Sequence, residues 1–104
     1  MFRRRREPPR RPHPDPLVEA ALQRVIAFRR MAEAKEGQIA YDRRQIRKLD
    51  RAVRRQRDID LSDRGYLAET LRREVRELEQ DVMELHEAIA GQVSEMDPDH
   101  LLWL

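Results

Sequence analysis

Three histidines, two serines, one threonine and two tyrosines are the groups with which this chain could do nucleophilic or acid–base chemistry, and none is spaced for it. No His-Glu-x-x-His or comparable spacing joins His13, His86 or His100 to a set of carboxylates, so no metal site is expected. Ser62, Ser94 and Thr70 lack a neighbouring base that would activate a hydroxyl, and Tyr41 and Tyr66 read as packing residues. The absence of cysteine removes thiol chemistry, disulfides and Cys-ligated zinc, and fits a reducing compartment. The expectation is a cytoplasmic protein that is not an enzyme and holds no cofactor.

The cations are the chemistry that remains. Arg3, Arg4, Arg5 and Arg6, followed by Arg10 and Arg11, lie in a proline-rich stretch. Guanidinium groups on a flexible arm attract polyanions such as nucleic-acid phosphates, an acidic protein surface or anionic lipid. Only Phe2 is near them, so the aromatic interleaving that stacks on bases is missing. A second group, Arg44, Arg47, Lys48, Arg51, Arg54 and Arg55, recurs at helical spacing. A solvated coiled-coil face usually mixes signs, whereas a one-sign stripe could follow a phosphate backbone or meet an acidic partner.

The elements that position these groups follow from periodicity. With 39% apolar and 40% charged residues the chain is too polar for a thick globular core and matches long helices or coiled coil. Residues 1–16 hold five of the six prolines, which disfavour helix, so residues 1–15 are expected to be a disordered arm. Asp15 can cap a helix whose first position suits Pro16, and Glu19 falls in its first turn. Helix 1, about 16–59, then carries heptad positions a at Val18, Val25, Ala32, Ile39, Ile46 and Val53. Its d positions are Ala21, Phe28, Lys35, Asp42, Leu49 and Gln56, so its middle, with Gly37, is weak. Helix 2, about 63–96, repeats more strictly: Ala68, Val75, Val82 and Ile89 at a, and Leu71, Leu78 and Leu85 at d.

Between them, 60–65 reads as a turn. Ser62 can cap helix 2, and Leu61 with Tyr66 stand at the spacing of a hydrophobic staple. Leu17–Arg57 is net +7 and Asp58–Leu104 net −9, so a basic arm folding back on an acidic one is favoured. A turn at Ser62 makes facing residue numbers total about 124 along the seam. That register pairs Ile46 with Leu78 and Ile39 with Leu85, and sets Asp50 beside Arg72, Arg43 beside Glu79, and Glu36 beside His86. Exposed ion pairs contribute only about 0.2–1 kcal/mol each, so they select register more than they stabilise it.

The fold class expected is therefore all-α: an antiparallel two-helix coiled coil over residues 16–97, with an apolar tail at 98–104. Leu22, Val25, Ile26 and Phe28 widen the apolar face of helix 1. They are candidates for docking a partner or a second copy in a four-helix bundle, as are Leu101, Leu102, Trp103 and Leu104, with Trp103 as an aromatic anchor. Laid back along the hairpin, the tail would instead lie beside Leu17–Leu22. No apolar run approaches the roughly 20 residues that span a bilayer, so no transmembrane segment is expected.

Asp58, Asp60 and Asp63 cluster at the expected hairpin tip. In shape and in these three acids the chain resembles the Gre-type factors, which insert such a tip into bacterial RNA polymerase and bind a metal there. The resemblance stops at that level, and capping and turn chemistry already account for Asp and Ser at such a place. The leading expectation is a non-enzymatic interaction protein, an adaptor, scaffold or accessory subunit, with a protein partner. The alternative is a nucleic-acid-associated protein using the arm and the basic stripe. The polymerase factor is the third reading.

Overall fold

The structure is a computed structural model that describes residues 9–55 and 61–104, with the backbone alone at 61–63. Its elements are α1 (Pro16–Arg55), α2 (Leu61–Ser94) and a single turn, α3 (Pro98–Leu101); no strand occurs among the described residues. The two long helices pack against each other as an all-α hairpin.

α1 starts where its chemistry dictates. The Asp15 carboxylate accepts from the Leu17 N–H at 2.9 Å, the Asp15 carbonyl accepts from the Glu19 N–H at 2.9 Å, and Pro16 occupies the first position. These contacts satisfy donors that a helix start otherwise leaves orphaned. With 40 residues at about 1.5 Å each, α1 is roughly 60 Å long, close to the 66 Å long axis of the molecule.

The turn differs from expectation. α2 already includes Leu61, so Ser62 and Gly65 lie within its first turns, and no glycine among the described residues has positive φ. Glycine costs a helix only about 1 kcal/mol relative to alanine, and the packing of α2 that begins at buried Ala68 outweighs that. The expected end of helix 1 near 59 and the start of the turn lie outside the described residues. α2 closes at Ser94, where Glu95 and Met96 N–H groups donate to Gln92 and Val93 carbonyls in tighter three-residue turns before Pro98. Asp97 then caps α3 by accepting from the Asp99 N–H at 3.0 Å.

The seam follows the heptad. Val25, Ala32, Ile39, Ala68 and Val75 are buried, and the remaining described a and d positions are buried or half-buried. The shortest dimension of the molecule is 16 Å, little more than one helix diameter. With a single layer of helices, each helix has one face to cover, which is why Leu49, Leu71, Leu78 and Leu85 remain half-exposed. Cross-seam contacts confirm an antiparallel register: the ion pairs Asp50–Arg72 at 2.9 Å and Arg43–Glu79, and His86 Nε2 beside the Glu36 carboxylate at 3.6 Å. Each step of seven residues up α1 is a step of seven down α2.

Candidate functional site

Three regions hold the side chains with unusual surroundings: the open end of the hairpin, its waist, and the outer face of α1.

At the open end, the proline-rich stretch from Pro9 to Pro14 has no helix, as its prolines require, yet it runs against the start of α1 and the C-terminal tail. The Arg10 guanidinium reaches both oxygens of Glu19, at 3.0 and 2.5 Å, and its Nε donates to the Trp103 carbonyl at 2.8 Å. The His13 N–H donates to Glu19 at 3.1 Å, and Gln23 adds a donor at 3.2 Å. The hydrogen bonds from Arg10, and secondarily that from His13, hold the Glu19 carboxyl at about 2, well below its ordinary 4.5. The same pairing pushes the Arg10 guanidinium up. The His13 ring meets His100 and Trp103 edge-on, with centroids 5.2 and 4.8 Å apart.

This clasp changes two expectations. Arg10 is engaged within the chain and is not a free polyanion contact, whereas Arg11 is exposed. Leu22 and Val25 are fully buried and Ile26 and Phe28 half-buried, so this face of α1 is covered within one chain and is not an open docking face. The C-terminal return meets α1 around a cavity lined by Leu17, Val18 and Ala21 with Met96, Asp97 and His100, while Trp103 continues to the His13 ring. Leu101 is half-buried; Leu102 is 84% exposed, against 37% for Trp103 and 36% for Leu104.

At the waist, Lys35 Nζ binds Asp81 at 3.1 Å across the seam. One heptad on, Asp42 is 1% exposed, and its carboxylate accepts from Gln38 Nε2 at 2.8 Å through one oxygen only. The other, Oδ2, accepts from no donor among the described residues. Across the seam the Glu74 carboxyl is pushed up from its ordinary value, first by hydrogen bonding to Asp42 and then by the charge of Asp42, by desolvation and by Glu77. The sequence marked Asp42 only as a weak d position. The signal missed was its register with Glu74, which repeats that of Lys35 with Asp81.

On the outer face of α1, Arg44, Arg47, Lys48, Arg51, Arg54 and Arg55 are all exposed, and none pairs with an acid among the described residues. Lys48, Arg51 and Arg55 surround Ala52 in a shallow concavity of about 390 Å³. By contrast Lys35 and Arg43, which face α2, are paired. Arg3, Arg4, Arg5 and Arg6 lie outside the described residues, as do Asp58 and Asp60 at the tip; Asp63 is described in backbone alone. No group of three or more metal-ligating side chains comes together among the described residues, and no helix there is long and apolar enough to cross a membrane.

No protein-family model, curated protein or solved structure matches this chain.

Proposed function

We propose that this protein is a non-enzymatic coiled-coil interaction module, an adaptor or accessory subunit, that presents the outer face of α1 to an acidic protein partner. One observation carries the reading: Lys35 and Arg43, which face α2, are neutralised by its acids, and the six cations of the outward stripe are not, among the described residues. A rigid helix fixes their spacing, and single-sign fields of this kind steer complementary partners and set register.

A second reading has its own support. The concavity between Lys48, Arg51 and Arg55 is lined by three cations, a fit for a phosphate group of a nucleic-acid backbone. Reversing Arg47, Arg51 and Arg54 to Glu tests both. Helicity by circular dichroism should be unchanged, because these side chains touch no described acid. The reversal should abolish capture of the partner from native extract. Capture by wild type that survives nuclease supports the protein partner. Capture that is lost to nuclease, with a log–log salt slope near −0.9 per duplex phosphate contact, supports nucleic acid instead. Equal capture by wild type and the reversed variant overturns both.

A further inference from the structure

The waist of the hairpin places two acids where its neighbouring heptad places a salt bridge. Lys35 on α1 meets Asp81 on α2; seven residues up α1 and seven down α2, the same positions are Asp42 and Glu74. Asp42 has been drawn out of water, with 1% exposure, and one of its oxygens has no donor among the described residues. A buried acceptor left unpaired bears the whole cost of its desolvation, and a charged one more so. The charged and polar groups facing it are few. Gln38 on its own helix supplies one amide donor, and α2 supplies Glu74, with Glu77 beyond it. The nearby cations are committed elsewhere: Lys35 to Asp81, Arg43 to Glu79, Arg72 to Asp50. Among the described residues no donor reaches Asp42 Oδ2, and the Glu74 carboxyl, hydrogen-bonded to Asp42 across the seam, supplies one when protonated.

We propose that Asp42 and Glu74 form a proton-operated latch at the waist: protonated Glu74 donates to Asp42 Oδ2, and losing that proton to solvent loosens α1 on α2 there. The raised Glu74 carboxyl agrees with this arrangement. A carboxyl whose folded-state value lies above its unfolded one adds stability that is complete below the unfolded value and is lost as pH rises through the folded one. The latch therefore closes on acidification. It stands two residues before Arg44, at the border between the clasped half of the molecule and the half that carries the outward cations.

The test is thermal unfolding of the full-length chain, followed by circular dichroism from about pH 5 to about pH 8.5, above the ordinary carboxyl range. Wild type should lose midpoint temperature as pH rises. Glu74→Gln supplies an N–H at every pH and should flatten at least half of that loss. Glu74→Lys sets a cation against Asp42, the Lys35–Asp81 pair with its ends exchanged, and should flatten it while raising the midpoint at the alkaline end. Every other titratable group is common to all three proteins, so the difference between the curves belongs to residue 74. Carboxyl ¹³C shifts provide a spectroscopic reading, and Glu74 should titrate above its ordinary value. Parallel melting curves for wild type and Glu74→Gln, or a Glu74 resonance titrating at its ordinary value, would overturn the latch.

Discussion

Glu19 at the open end and Asp42 at the waist are both acids withdrawn from water, one with its side chain 18% exposed and the other 1% exposed as a residue. Glu19 receives both prongs of a guanidinium, a backbone N–H and an amide. Asp42 receives one neutral amide and faces another acid. The difference lies in where donors can come from. At the open end the chain runs past the helix start, so Arg10 can fold back onto it and tie it to Trp103. At the waist only two helices are present, and every cation within reach has another acid to meet. A seam two helices wide can satisfy a buried charge only from its own heptad positions, while an end that recruits a third segment can assemble a full set of donors. The open end should therefore be the rigid part of the hairpin and the waist its adjustable part.

The largest expected effect tests the rigidity of the open end. Leu22→Ala removes a fully buried side chain there and should destabilise by about 2–5 kcal/mol in denaturant unfolding. Leu78→Ala, half-buried toward the tip, should cost clearly less. Equal losses would mean that the two regions are packed alike. The waist should respond in the opposite direction. Asp42→Leu replaces an incompletely satisfied buried acid with an apolar residue at a seam position and should stabilise at neutral pH, by about 1–3 kcal/mol. Loss of stability in that variant would show that the acid is better accommodated than its surroundings indicate.

The smallest effect is local and depends on acid. The Glu19 carboxyl is held at about 2 against an ordinary 4.5, so its contribution is complete above the ordinary value and disappears as pH falls between the two. Protonation frees Arg10 from Glu19 and, with it, the hold on the C-terminal tail. Trp103 is the only tryptophan, so its fluorescence reports this step directly. A transition should appear between those values in wild type, and Arg10→Ala should show the released signal already at neutral pH. An Arg10→Ala spectrum identical to wild type at neutral pH would remove the clasp from the comparison. The opposing pH senses of the two regions, one released by acid and the other closed by it, make them separable in a single titration.

The sequence by itself determined the helices and their register. Asp15 and Pro16 mark the start of α1, the a positions from Val18 to Val53 and from Ala68 to Ile89 define the seam, and charges spaced by seven residues predict Asp50–Arg72, Arg43–Glu79 and Glu36–His86. These are local or periodic properties, and a heptad repeat reads them out because side chains three and four residues apart share a helix face. The outward position of Arg44, Arg47 and Arg51 follows from the same repeat. What only the tertiary structure decided involves contacts without a period. Arg10, counted from sequence among free cations, is bound to Glu19 and the Trp103 carbonyl. Leu22 and Val25, read as open to a partner, are fully buried where the chain's two ends return. Asp42 is an ordinary heptad blemish until α2 brings Glu74 against it and its second oxygen is left without a donor among the described residues. Periodicity fixes which face a residue takes, but the distance between segments far apart in sequence, and hence burial and the partners of each charge, is set only when the chain closes on itself.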